Sequence, residues 1–465
     1  MTGSVEGPGS PRDGSAPFEN VIPTRKQGRR DSMLAKRMTF LVPFLLAGCL
    51  QGTGGQVPGQ QRVAVDVWSW NIAAGSLMAL VPEFEQEHPG IEVRINMTGA
   101  DMQSRFLLSL IAGVGAPDIS QLQLVDAPKF APSGALMDLT DKAQQYADKF
   151  SPSFWDNCTH EGRVYAIPWD MGPCAVFYKR DVFARYAIDL DAIETWEDYI
   201  AVGKRITRQS RGETKMLALS VATLFEFFEI LIQQTGGGVF DREGRIIICS
   251  RENVQALEVL RAILEADIAA PINVSGVEYY ASFQNDTIAT YPLAVWLGGS
   301  IKDYAASTAG NWGVFRLPAV EPGGLRTSNL GGSVLVIPDQ CEKKEEAWKF
   351  VEYALCTEEA QLEQYRNFDL FPCLMTTFDD PFFDEPDPFY GGQKVRRLFA
   401  RDIDKIPTLT RTKDWNEAMR YITQMLSTWA TTKMPHEAFL SKLAVKLERK
   451  LGRAIAPGYG PTEGG

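Results

Sequence analysis

Val63-Ala64-Val65-Asp66-Val67-Trp68-Ser69-Trp70-Asn71 is the stretch whose reading decides the fold. Val63, Val65 and Val67 recur at every second position, the period of a half-buried strand. Leu77, Leu80, Val81 and Phe84 then recur at helical spacing. Ser76 is placed to cap that helix, and Pro82 predicts a kink or a late start. Pro89-Gly90 closes it, and Ile91, Val93 and Ile95 alternate as a second strand. A second helix carries Phe106, Leu107, Leu110 and Ile111 and stops at Gly113, Gly115 and Pro117. Asp118 to Leu122 reads as a third strand. This β-α-β-α-β order implies an α/β fold with parallel strands and right-handed crossovers. Ligands of such sheets sit outside the carboxyl ends of the strands. Trp68 to Asn71 and Gln121 to Gln123 therefore form a prospective ligand rim.

Farther on, Arg163 to Asp170 leads into Ala175 to Tyr178. Pro168 and Met171-Gly172-Pro173 interrupt the pattern as a crossing between domains would. Thr195-Trp196-Glu197-Asp198 is a helix start with acidic residues in the first turn. Leu224 to Gln234 is apolar almost all round, which predicts a buried helix ended by Gly236-Gly237-Gly238. A further helix is predicted from Val254 to Ala266. Trp312 to Leu317 and Ser333 to Ile337 read as strands, and Lys343 to Leu355 as a helix about 20 Å long at 1.5 Å per residue. Residues 457–465 read as a disordered tail. The roughly 395 residues between Arg62 and Ala456 suggest two or three domains.

The N-terminal region carries an address. Lys36 and Arg37 precede an apolar run from Phe40 to Leu46, and Leu46-Ala47-Gly48-Cys49 follows. This resembles the lipobox of bacterial lipoproteins. The resemblance implies that 33–48 is a signal peptide, that Cys49 becomes the N-terminus, and that its thiol carries a diacylglycerol. The apolar run is shorter than the ~20 residues a spanning helix needs. Residues 1–32, polar and rich in Gly and Pro, are unusual ahead of a signal peptide and read as a non-native extension, with translation starting at Met33 or Met38. Gly-rich 49–61 reads as a flexible linker.

The net charge of −11 argues against nucleic acid, which wants a basic surface. Beyond Cys49 there are six cysteines: Cys158, Cys174, Cys249, Cys341, Cys356 and Cys373. Cys341 and Cys356 flank one helix and stand too far apart to bridge. Cys158–Cys174 and Cys356–Cys373 remain open. His88, His160 and His436 are scattered and there is no Cys-x-x-Cys, so neither a metal site nor a cofactor is expected. No nucleophile elbow or P-loop is present. Asp379-Asp380, Glu385 and Asp387 lie in a Pro-rich loop and read as solvated rather than as a hydrolase pair.

A set of motifs carries a wider resemblance. It comprises Trp-Ser-Trp (68–70), Gly-Val-Gly-Ala-Pro-Asp-Ile (113–119), Val-Tyr-Ala-Ile-Pro-Trp-Asp (164–170), Phe-Tyr-Lys-Arg-Asp-Val-Phe (177–183) and Glu-Thr-Trp-Glu-Asp-Tyr (194–199). Tyr-Pro-Leu-Ala-Val-Trp-Leu-Gly-Gly-Ser (291–300), Trp-Gly-Val-Phe-Arg-Leu-Pro (312–318) and Gly-Gly-Ser-Val-Leu-Val-Ile-Pro (331–338) complete it. In this order they resemble the extracellular solute-binding proteins of ABC sugar importers, relatives of maltose-binding protein, over nearly all of 62–430. The resemblance implies a two-lobed periplasmic-binding-protein-like (type II) fold. Lobe one would comprise 62–172 and 312–355, lobe two 175–310 and 357–455. It also implies a non-catalytic monomer that closes on a mono- or oligosaccharide and delivers it to the permease transmembrane subunits of an ABC transporter. It would act outside the cytoplasm, tethered to the membrane at Cys49. Same-fold receptors for a polyol, a glycerophosphodiester or a peptide, and a surface-anchored glycan hydrolase or adhesin, are the alternatives.

A sugar presents a C–H face and a rim of hydroxyls, so its site needs flat rings and fixed polar groups. Trp70, Trp169 and Trp296 are the candidate platforms, with Trp68 ambiguous. Asp170 offers a charged acceptor for hydroxyls, and Asn71 and Gln121 offer amides at strand ends. Gly331-Gly332-Ser333 leaves backbone N–H groups open to a close ligand, and Glu226 interrupts an otherwise apolar helix.

Overall fold

The computed structural model describes residues 62–99, 101–274 and 276–460. The expected extension, signal peptide, Cys49 anchor and linker all lie outside the described residues, as does the end of the tail.

The opening β-α-β-α-β unit forms as its periodicity requires. β1 (Val63–Ser69) is flanked in parallel by β2 (Ile91–Met97) and β3 (Ile119–Gln123), with Val63 level with Ile91 and Val67 level with Ile119. Two further strands complete a five-stranded sheet. Ser333–Val336 pairs antiparallel to β3, and Ile167–Asp170 pairs antiparallel to Ser333–Val336. α1 (Asn71–Glu87) and α2 (Met102–Ala112) are the two crossovers. α1 begins six residues earlier than the sequence suggests, capped at Trp70 and not at Ser76. Ser76 is buried inside it rather than capping it, its Oγ donating to the Ala73 carbonyl at 2.8 Å and to Gln364 at 3.2 Å. Pro82 lies within the helix, which has no late start. In α2 the core face is Met102, Phe106 and Ser109; Ile111, expected on that face, is 75% exposed.

The second lobe is built on three antiparallel strands in the order Thr290–Ala294, Cys174–Lys179, Trp312–Arg316. Helices Trp196–Gln209, Leu224–Thr235, Arg251–Glu265, Trp415–Ala430 and His436–Leu451 pack around it. The first of these is fixed by a capping box: the Asp198 amide donates to Thr195 Oγ1 at 3.2 Å and the Thr195 amide to Asp198 at 2.8 Å. Arg251–Glu265 starts three residues before the apolar periodicity because Ser250 caps it.

Two expected lobe boundaries differ from these pairings. Trp312–Arg316 hydrogen-bonds along Cys174–Lys179, so it belongs to the second sheet, and the chain returns to the first only at Ser333. Helix Glu358–Phe368, expected in lobe two, packs on α1 and holds the lobe-one indole of Trp169 through Gln364. Periodicity reports that a segment is a strand or an amphipathic helix, not which partner it chooses, and that choice is what moved both boundaries.

The lobes are joined where three chain segments run side by side. The Met171 amide donates to the Phe371 carbonyl, and the Leu330 amide to the Gly172 carbonyl, each at 2.9 Å. The Gly172 amide donates to Asn329 Oδ1 at 2.9 Å, and Pro173 bridges Asn329. The six cysteines from Cys158 to Cys373 are unbridged, which sets aside both pairings left open by the sequence. Of the tail, residues 457–460 are placed as a turn, with the Tyr459 amide on the Ala456 carbonyl.

Candidate functional site

The carboxyl edge of the five-stranded sheet gathers most of the expected residues. Parallel β1 and β3 end there at Ser69 and Gln123, with Gln121 level with Ser69, Ile167–Asp170 ends there at Asp170, and the reversed strand begins there at Ser333. A hydrogen-bonded row links them. Gln121 Oε1 accepts from Ser69 Oγ at 2.7 Å and from the Trp70 amide at 3.2 Å, and its Nε2 donates to Ser333 Oγ at 3.1 Å. Gln121 is thus fully engaged with its own sheet: it positions the row instead of offering a free amide. Trp70 is half-buried and Asn71 exposed. Asn71 opens α1 at φ +50°, a left-handed conformation that Asn tolerates.

Asp170 is the electrostatic centre of the row. Burial pushes its carboxyl above the ordinary aspartate range, opposed by hydrogen bonds from the Ser333 side chain and amide. Its Oδ1 is buried without a hydrogen-bond partner. A buried carboxylate oxygen left unpaired is costly, and a hydroxyl or N–H donor brought into the junction would satisfy it.

The lobe-to-lobe crossing supplies the next wall. Gly331 and Gly332 take φ values of +86° and +111°, closed to most side chains. A Cβ on Gly332 would lie 2.6 Å from Phe154 and 2.8 Å from the Asp170 carbonyl. Trp296 reaches across from lobe two, donating from Nε1 to the Leu330 carbonyl at 3.2 Å, and the residue is 41% exposed.

Two expected residues fall outside this cluster. Trp169 is 1% exposed and its Nε1 donates to Gln364 at 2.6 Å, so it is a core side chain of lobe one with no ring face open to a ligand. The strand alternation that turns Asp170 toward the junction turns its neighbour into the core. Glu226 lines a separate small pocket in lobe two with Thr223, Tyr279, Tyr291 and Pro292. Its carboxyl is raised by desolvation and by Glu229, although part of the side chain meets solvent.

The structure adds residues that the sequence left unmarked. Asp126, just past the end of β3, accepts from Gln103 at 2.7 Å and from Asn416 of lobe two at 2.6 Å. The strand-end argument that reached Gln121 extends to Asp126; nothing in the sequence marks Asn416. Residues 408–416 run along lobe one. Thr408 donates to Asp156 at 3.0 Å, and the Arg411 amide donates to Asn157 at 3.2 Å. The Arg411 guanidinium is buried on Glu229 at 2.8 Å, which ties the same segment to lobe two.

Behind that segment lies a cavity of about 620 Å³, walled by Pro132, Asn157 and His160 of lobe one and by Arg242, Thr412 and Arg453 opposite. None of the ten expected residues lines it, and its wall contains no Phe, Tyr or Trp. Its wall carries the Arg242–Asp156 ion pair at 3.7 Å, whereas the crossing between the lobes carries the unpaired Asp170 acceptor and the partly exposed Trp296. Among the described residues no three His, Cys, Asp or Glu side chains converge as a metal site would require. No helix among them is long and apolar enough to cross a membrane.

Known proteins share this fold. The chain is 27% identical over 315 residues to the arabinooligosaccharide-binding protein of Halalkalibacterium halodurans, covering 66% of this chain and 70% of that one. It is 26% identical over 360 residues to the lactose-binding protein of Rhizobium radiobacter, covering 74% and 83%. Among solved structures, the sugar-binding protein MalE of Xanthomonas citri superposes with a TM-score of 0.72 at 20% identity, over 84% of this chain and 98% of that one. The binding protein of B. animalis subsp. lactis in complex with β-1,6-galactobiose gives 0.69 at 23%, over 85% and 99%. The sequence pattern of the bacterial extracellular solute-binding proteins matches residues 69–361, and with the two-lobed fold this identifies the chain as a member of that family.

Proposed function

We propose that this protein is a non-catalytic receptor that captures a carbohydrate between its lobes and hands it to the transmembrane subunits of an ABC importer. The observation that carries the reading is the unpaired Asp170 Oδ1 and the partly exposed Trp296, which border the Gly331-Gly332 crossing between the two lobes from opposite lobes. A sugar hydroxyl satisfies the first and a sugar C–H face covers the second. Trp70 and Asn71 extend the wall, Gly331 and Gly332 admit close approach, and Gln121 and Ser333 hold the row in place. Glu226 is a contact for a longer ligand reaching into lobe two. Sugar-binding relatives support the substrate class. The carboxylate of Asp170 favours neutral sugars over uronates and phosphates, because among the described residues no Arg or Lys lies within salt-bridge distance of it.

Ligand touching both lobes favours the closed arrangement, so capture proceeds by population shift. A diacylglycerol on Cys49 keeps the receptor beside its permease, with 49–61 as slack.

A thermal-shift screen tests the reading. A ligand at 100 times its Kd stabilises by about 2.7 kcal/mol, so neutral arabino- or galacto-oligosaccharides should raise Tm while galacturonate oligomers do not. If no carbohydrate shifts residues 62–465, the sugar assignment fails. Metabolic labelling with radioactive palmitate, abolished by Cys49→Ser, tests the anchor separately.

A further inference from the structure

Lobe one and lobe two touch at a point that the ligand reading does not use. Asp126 stands at the carboxyl edge of the first sheet and is 6% exposed. Gln103 of α2 fixes its Oδ2, donating at 2.7 Å. That bond lies wholly within lobe one, so it orients the carboxylate whatever the angle between the lobes. Oδ1 is left to point across the junction, where it accepts from Nδ2 of Asn416 at 2.6 Å. Asn416 is an exposed residue on the first turn of helix Trp415–Ala430. That turn is anchored in lobe two by Trp415, whose ring packs against Phe225 and Phe240 at 6.4 Å between centroids.

We propose that Asp126 and Asn416 form a ligand-independent latch, and that this bond, beside those of Thr408 and Arg411 to lobe one, shifts how much of the empty receptor is closed. Asp126 is oriented in advance by its own lobe, and Asn416 stands on a turn anchored in the other, so forming the bond orders little beyond the Asn416 side chain. The acceptor is a carboxylate, which makes the bond stronger than one between neutral groups. Apparent affinity for any ligand scales with the fraction of molecules already competent to hold it, so the latch tunes affinity without touching sugar. Asp126 and Asn416 are positioning residues in this role. The proposal rests on the two-lobed closing receptor described above, but not on the identity of the sugar.

Small-angle X-ray scattering of the ligand-free protein is the deciding measurement. Asn416→Ala and Asp126→Ala should each give a larger radius of gyration than the wild type. Asn416→Lys, which replaces an amide donor by an ammonium facing the carboxylate, should restore the compact profile or tighten it. For lactose or arabinotriose, whichever binds the wild type, Asn416→Ala should raise Kd by up to about 10-fold, with the saturated profile unchanged. Wild-type scattering from ligand-free Asn416→Ala overturns the latch, as does a Lys variant as open as the Ala variant. Asn416 is exposed, so its variants fold; circular dichroism checks that directly. Failure of every sugar to bind would sink the carbohydrate reading and leave the scattering comparison intact.

Discussion

Gly172 and Leu330 meet backbone to backbone where two of the lobe-to-lobe segments run side by side. The Leu330 amide donates to the Gly172 carbonyl at 2.9 Å, and a Cβ on Gly172 would collide with the Leu330 carbonyl oxygen. Gly172→Ala therefore forces the two segments apart. The cost of overpacking a tight site, about 1–3 kcal/mol, should appear as a lower midpoint in urea. Unchanged stability would mean that the segments separate freely.

Trp296 and Trp169 should behave oppositely. Trp296→Ala removes the ring of a partly exposed residue and is expected to weaken sugar binding by about 1–3 kcal/mol with little loss of stability. Trp169→Phe removes the shorter of the two hydrogen bonds to the buried Gln364 Oε1 and leaves it only Ser76 Oγ at 3.2 Å, for a stability loss of about 1 kcal/mol, and should leave affinity alone. Calorimetric titration and urea melts on both variants check the contrast.

Asp170 carries a pH signature. Its folded pKa lies above the unfolded value because burial disfavours the anion. The folded state therefore holds the proton to higher pH than the unfolded chain, and this group's contribution to stability falls as pH rises from the ordinary aspartate range through the raised value. Asp170→Asn should flatten that slope, raise neutral-pH stability, and weaken sugar binding about 10- to 100-fold through loss of a charged acceptor. Stability profiles from pH 3 to 7 that superpose for the two proteins would contradict this.

The Arg411–Glu229 pair is buried on both sides, with side chains 4% and 5% exposed. Breaking it singly leaves a charge uncompensated, and Glu229→Gln should cost about 3–5 kcal/mol. Adding Arg411→Met removes the orphaned charge and should recover most of the loss. A double variant no better than the single one would show that the guanidinium matters for packing and not for its charge.

Lys179 reverses the usual direction for a cation. It is 3% exposed, donates to the Ser282 and Asn285 carbonyls near the end of a short helix, and has its pKa pushed down to about 8 by burial. Between pH 8 and the ordinary lysine value the unfolded chain keeps a proton that the folded protein has released. Wild-type stability should therefore rise across that window relative to Lys179→Met, by at most about 1.4 kcal/mol per pH unit. Denaturant melts at pH 7, 8.5 and 10 measure the slope, and a flat difference rules it out.

Much of this architecture is legible in the sequence, and the limits are physical. The strands around Val65, Val93 and Leu122 are half-buried or buried elements whose periods name them. The strand-end argument reached Trp70 and Gln121, because a parallel sheet puts its carboxyl ends at one edge, and the family motif reached Asp170. What periodicity does not encode is partner choice. Trp312–Arg316 is as good a strand in either lobe, and only its pairing with Cys174–Lys179 assigns it. Likewise Trp169 and Asp170 are neighbours whose fates diverge because successive side chains face opposite sides. Asn416 is an exposed amide at a helix start, and its importance exists only once the other lobe is beside it.

The three adjoining segments at Gly172, Leu330 and Phe371 have a mechanical consequence. Two bodies joined along one short line lose all freedom except turning about that line. A rotation small enough to leave the Gly172–Leu330 bond intact is multiplied by the distance from the axis, so the mouth of the cleft sweeps far more than its root. In the capture mechanism proposed above, that leaves a single coordinate along which solute can do work and a single angle for a permease to sense.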